Sequence, residues 1–133
     1  MKENKIIGCG IDIENIKRFE RILGNQDYES FMRDVFTERE IRINSAFRAK
    51  ERFTLGFCAK EALFKSFGIS WVNSPITWKD VELIFTADKM LNQNRVILHG
   101  FALKYFLKEK IKQILFESII EENYARFSVI LVR

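Results

Sequence analysis

Ile6-Ile7-Gly8-Cys9-Gly10-Ile11-Asp12-Ile13 reads as a β-strand, and what it carries on each face organises the rest of the chain. Side chains alternate across a strand, so Ile7, Cys9, Ile11 and Ile13 share one face while Ile6, Gly8, Gly10 and Asp12 share the other. Asp12 therefore stands beside two positions without side chains, where a ligand or another stretch of backbone can approach closely. A plainer reading makes Asp12 the end of the strand and the cap of a helix starting near Glu14. Spacing alone favours the cap.

That helix is expected to run from about Glu14 to Leu23, with Ile16, Phe19, Ile22 and Leu23 turned inward and Lys17, Arg18 and Arg21 outward. Its basic face is either a solvated surface or a dock for an acidic helix of a partner. Thr37 and Glu40 form a capping box, and Phe36 with Ile41 occupies the positions of a hydrophobic staple, so another helix starts at Thr37. The only proline, Pro75, falls in a loop between two patterned regions. Before it lie one short strand and several helices; after it come mostly strands, with one helix from Phe101 to about Lys112. The expected class is α+β, an N-terminal strand and helices followed by a mainly antiparallel sheet. The 133 residues are expected to form one domain, residues 1–133.

Lysine and arginine total 22 against 18 acidic residues, a net charge of +4, which favours an acidic partner without naming it. No zinc-finger, helix-turn-helix or RNA-binding signature prefers nucleic acid. Cys9 and Cys58 lie in apolar stretches without metal-binding companions and are expected to be buried thiols in a reducing compartment. Apolar runs such as Val129 to Val132 are too short for a bilayer and no signal-like segment opens the chain, so the expectation is a soluble, cytoplasmic protein.

A long helix is expected from about Ala46 to Phe67, ended by Gly68 as a left-handed C-cap. Phe53, Phe57 and Phe64 mark its inward face, and Glu61, four residues after Phe57, falls within that stripe. Turning a carboxylate toward a core costs several kcal/mol, roughly, unless something compensates it. A salt bridge to Lys65 at i+4, a raised pKa that keeps the acid neutral, or a bound metal would each do so. Asp12 as a second inward carboxylate points toward a hard ion such as magnesium, whose coordination is completed by water and substrate phosphate oxygens. Lys60 and Lys65 would then attract phosphate.

Gly8-Cys9-Gly10-Ile11-Asp12-Ile13, followed by Phe57-Cys58-Ala59-Lys60-Glu61-Ala62, Lys65 and Phe67-Gly68, resembles the holo-acyl-carrier-protein synthase family, the small phosphopantetheinyl transferases. The resemblance continues through Arg18, Phe36-Thr37-Glu38-Arg39-Glu40, Asp80-Val81-Glu82, Leu98-His99-Gly100 and Tyr124-Ala125. It implies a homotrimer with coenzyme A in clefts between subunits and Mg2+ on Asp12 and Glu61. It further implies Lys60, Lys65 and Gly68 on the coenzyme side, with Glu61 and Lys65 catalytic. Arg18, Arg21 and Phe57 would meet an acidic acyl carrier protein, Phe57 having a core role as its alternative. The implied reaction is attack by a carrier serine on the β-phosphate of coenzyme A, releasing adenosine 3′,5′-bisphosphate, with Glu61 as base directly or through a metal-bound water.

Three departures from the family pattern stand out. Gly56 occupies the place of an arginine, Ile120 that of a histidine, and the segments Gly68-Ile69-Ser70-Trp71 and Asn92-Gln93-Asn94 replace glycine-richer turns. Losing the arginine and histidine puts the coenzyme side of the pocket in question more than the metal pair. His99, the sole histidine, reads as a hydrogen-bonded structural residue. The competing functional readings are a non-catalytic trimer that docks an acidic carrier protein and, resting only on charge and aromatic content, a nucleic-acid-binding domain.

Overall fold

The computed structural model describes residues 3–69, 71–86 and 94–133. Strand β1 (Ile6–Asn15) leads into three short helices, α1 (Ile16–Leu23), α2 (Tyr28–Val35) and α3 (Glu38–Ser45), and then the long α4 (Ala49–Phe67). After two 3-10 turns come β2 (Val81–Phe85), β3 (Asn94–Leu98), α5 (Gly100–Lys108), β4 (Gln113–Ile120) and β5 (Tyr124–Val132). β1, β5 and β4 form an antiparallel sheet in that spatial order, with Asp12 opposite Phe127 and Gly10 opposite Val129. β2 and β3 make a separate antiparallel pair. The α+β expectation is met. Of the turn segments singled out in the sequence, Ser70, Asn92 and Gln93 lie outside the described residues, while Asn94 begins β3.

The two glycines of β1 set how α4 sits. A Cβ at Gly8 would stand 2.1 Å from the Ser66 carbonyl oxygen, and one at Gly10 would stand 2.0 Å from that of Ala62. The helix backbone rests directly on the strand backbone, as positions without side chains permit. Of the two approaches the sequence left open, ligand or backbone, the structure uses the backbone. α4 ends at Gly68 in the left-handed region (φ 68°), whose N–H bonds the Lys65 carbonyl.

Because the glycine face of β1 takes the helix, its apolar face looks outward. Cys9 is exposed, as are Ile11 and Ile13, and Leu115 and Ile130 join them on the same side of the sheet. The expectation of a buried Cys9 thiol is thus corrected; Cys58 is buried, its thiol donating to the Ala125 carbonyl at 3.4 Å. The main core fills the other side of the sheet, where Cys58, Ala62, Leu63 and Phe67 of α4 meet Phe127, Val129 and Leu131 of β5. A second cluster, Phe19, Met32, Val35, Phe36, Phe53 and Phe57, joins α1, α2 and α4. Each such side chain contributes about 1.5–3 kcal/mol on full burial.

Helix boundaries follow the caps. α1 starts at Ile16 because Asn15, not Asp12, is its cap, accepting from the Lys17 N–H at 2.8 Å, which leaves Asp12 within the strand. The capping box at Thr37 and Glu40 is present as read. Among the described residues no helix is long and apolar enough to cross a membrane.

Candidate active site

β1 and α4 together build an acidic cluster with one lysine in it. Asp12 and Glu14, two residues apart, share a face of the strand. Glu61 and Lys65, one helical turn apart, face them from α4. Lys65 Nζ donates to Asp12 Oδ1 at 2.9 Å and to the Ile11 carbonyl at 3.0 Å, rather than pairing with Glu61 as helix spacing suggested. That contact with Asp12, reinforced by the charges of Asp12, Glu61 and Glu14 against the opposing effect of burial, holds the Lys65 ammonium above its ordinary range. Glu61 is half-buried beside this cluster, not sunk in the aromatic stripe.

Asp12 is the buried member, its side chain 11% exposed, and among the described residues its Oδ2 has no partner of hydrogen-bond geometry. Glu14 was not singled out as a site residue from the sequence. Burial first, then the charge and contact of Asp12 and the charge of Glu61, push its carboxyl up to about 7, although Arg18 at 3.3 Å pulls the other way. The signal that marks it is the i+2 spacing from Asp12, obscured by reading Glu14 as a helix start. The donors are carboxylate oxygens, one of them buried without a partner, which suits a hard divalent cation. Among the described residues no three His, Cys, Asp or Glu side chains already form a cage for a metal, so an ion here would take the rest of its shell from water and substrate.

Other expected site residues fall elsewhere. Lys60 is fully buried, its ammonium bonded to Glu40 Oε1 at 2.8 Å, to the Trp78 carbonyl at 3.0 Å and to the Val81 carbonyl. The structure does not bring it to Asp12: the 100° turn per residue that directs Glu61 to β1 directs Lys60 toward α3 and β2. Burial pushes Lys60 down and Glu40 up, and their mutual attraction opposes both. Phe57 takes its core alternative rather than a docking surface, stacked on Trp78 with centroids 5.1 Å apart and packed on Phe19 at 5.3 Å. Gly56, four residues before Lys60, points the same way: a Cβ there would meet the Phe36 ring at 3.2 Å and Glu40 Oε2 at 3.9 Å. An arginine missing here is therefore missing from the Glu40 compartment, on the opposite side from Asp12.

Arg18 and Arg21 are exposed on α1, Arg18 bonded to Glu14. Gly68 is exposed, and a Cβ added there would meet none of the described residues within 4 Å. Ile120 packs against the main core at the end of β4. His99 joins a hydrogen-bonded network as expected: its Nε2 contacts Glu82, which also accepts from Arg39 at 2.6 Å and Thr37 at 2.6 Å.

Residues 8–125 match the 4′-phosphopantetheinyl transferase superfamily. A holo-[acyl-carrier-protein] synthase of Geobacter metallireducens is 33% identical over 130 residues, covering 96% of this chain and 98% of its own. The crystal structure of the holo-[acyl-carrier-protein] synthase of Neisseria meningitidis superposes with a TM-score of 0.80 at 20% identity, covering 96% of this chain and 98% of the other. That of a holo-(acyl-carrier-protein) synthase of Bacillus anthracis in complex with coenzyme A has a TM-score of 0.72 at 23% identity and covers 96% of both chains.

Proposed function

The chain belongs to the 4′-phosphopantetheinyl transferase superfamily, and on that premise we propose that it moves 4′-phosphopantetheine from coenzyme A to a serine of an apo-acyl carrier protein, with Mg2+. The observation that carries this reading is the convergence of Asp12, Glu61 and Lys65, brought together from a strand and a helix whose sequences bear the family's two motifs. In the reaction the serine Oγ bonds to the β-phosphorus as the bond to the oxygen of the leaving adenosine 3′,5′-bisphosphate breaks. The serine proton passes to a Glu61 carboxylate oxygen.

The chain's own groups have distinct tasks. Asp12 and Glu61 would supply carboxylate oxygens for the ion, which would neutralise charge on the pyrophosphate when bound. Lys65 supplies a mobile positive charge for the β-phosphate; its side chain is 51% exposed and rooted on a rigid helix. Lys60 has no part in phosphate binding. Arg18 and Arg21 offer an acidic carrier protein a basic helix face, steering encounter more than holding the complex.

Assembly as a homotrimer accounts for the outward apolar face of the three-stranded sheet, where Ile11 is 50% exposed, Ile13 57% and Leu115 51%. Sedimentation would show a trimer, and Ile130→Asp, in the middle of that face, would convert it to monomer. A cleft shared between copies is also where coenzyme A would bind.

The test is to incubate the protein with coenzyme A, Mg2+ and apo-acyl carrier protein and weigh the carrier. A phosphopantetheine mass gain is expected, abolished by Asp12→Ala and by Glu61→Ala. Binding of several carriers with no gain on any would instead favour the non-catalytic module.

A further inference from the structure

The cation that Asp12 holds in this structure is the Lys65 ammonium. Asp12 offers two oxygens: Oδ1 is taken by Lys65 at 2.9 Å, and Oδ2 is buried with no partner of hydrogen-bond geometry among the described residues. The same ammonium is anchored on the Ile11 carbonyl at 3.0 Å, and Glu61 and Glu14 add their fields to it. A lysine held by two acceptors and surrounded by three carboxylates fills the role of a counter-ion.

The two partners differ in mobility. Asp12 sits within a paired strand, its side chain 11% exposed, whereas Lys65 is 51% exposed on a flexible four-carbon stem. When a second cation arrives, only the lysine can leave. A dication bound to Asp12 would lie within a few ångströms of the ammonium, and like charges at that range in a partly desolvated site repel strongly.

Resting on the reading of Asp12 and Glu61 as ligands of a divalent ion, we propose that Lys65 is a displaceable placeholder: it neutralises Asp12 in the substrate-free protein and is released toward the substrate phosphate when the ion takes its place. Ion binding and delivery of Lys65 are then one coupled event. Lys65 lowers the affinity of Asp12 for the ion, and the penalty is removed once a phosphate is present to receive the ammonium. A lysine that served only to bind phosphate would leave ion affinity in the absence of coenzyme A unchanged.

The experiment titrates Mn2+ into the full-length protein without coenzyme A, following free Mn2+ by electron paramagnetic resonance, for wild type, Lys65→Met, Lys65→Arg and Asp12→Ala. Lys65→Met is expected to bind about tenfold more tightly than wild type, and Lys65→Arg close to wild type. Equal or weaker binding by Lys65→Met, or no binding by either protein, overturns the proposal. Charge proximity alone is separated from occupancy by 15N spectra of the lysine side chains: the Lys65 ammonium resonance should shift or broaden away as Mg2+ saturates the site. An ammonium signal unchanged at saturation also overturns it. The underlying ligand assignment fails separately, if Asp12→Ala binds Mn2+ as well as wild type does, and transfer itself is decided by the carrier's mass.

Discussion

Replacing Lys60 by methionine distinguishes a buried strut from a phosphate ligand. Methionine keeps the length of the stem but removes the ammonium, leaving Glu40, which is 0% exposed, with the Thr37 and Leu83 backbone N–H groups as its donors among the described residues. The Trp78 and Val81 carbonyls lose their donor as well. Breaking a buried pair by removing one partner costs about 3–5 kcal/mol, a large share of the roughly 5–15 kcal/mol by which domains are stable. At about 3–4 °C per kcal/mol for a chain of this size, the melting temperature should fall by roughly 10–20 °C. The assay is circular dichroism melting of wild type, Lys60→Met, Glu40→Gln and the double variant. Removing both charges leaves no uncompensated ion, so the double variant should recover at least half of the loss. A Lys60→Met protein that melts within about 2 °C of wild type but no longer binds coenzyme A would refute the reasoning and return Lys60 to the phosphate.

Three further outcomes are expected. Gly10→Ala should destabilise the fold by about 3 kcal/mol or more and cut transfer activity together with it, since its Cβ would stand 2.0 Å from the Ala62 oxygen; wild-type melting would contradict the backbone contact. Burial alone would raise the Glu82 carboxyl, but hydrogen bonds from Arg39, Thr37 and His99 hold it down at about 2 against an ordinary 4.5. The stability it confers is therefore complete above about pH 4.5 and lost as pH falls through about 2. Urea midpoints should show wild type losing on the order of 2 kcal/mol more than Glu82→Gln between about pH 6 and pH 3, and parallel pH profiles would argue against it. Arg18→Glu with Arg21→Glu should raise KM for the carrier protein at least tenfold in low salt while coenzyme A binding measured by calorimetry is unchanged; a matching loss of coenzyme affinity would remove α1 from the carrier surface.

Local signals were legible. The capping box at Thr37 and Glu40, the C-cap at Gly68 and the alternation that puts Asp12 on the glycine face depend on neighbours in sequence, and each is found in the structure. What the sequence hid depends on pairing across distance. Glu40 caps its own helix and also neutralises Lys60, 20 residues away, and no periodicity announces the second role. Lys65 had an acid four residues before it and took another 53 residues away. The apolar residues of β1 carry the pattern of a core face, yet Ile11 and Ile13 face outward because a helix needs a face without side chains to come this close. Phe57 and Lys60 belong to the segment on which the family resemblance rests, and resemblance does not distinguish a residue that touches substrate from one that holds up the helix carrying it.

The seating of α4 on Gly8 and Gly10 bears on how such a chain can diverge. Where a helix rests on a sheet through side chains, each exchange of a leucine for a valine resets the gap between the two elements. Here main chain meets main chain, so the gap between the Asp12 strand and the Glu61 helix is a property of the peptide unit itself. Core residues elsewhere can drift without carrying Asp12 and Glu61 apart. The site's ruler is written in the two residues that have the least to mutate.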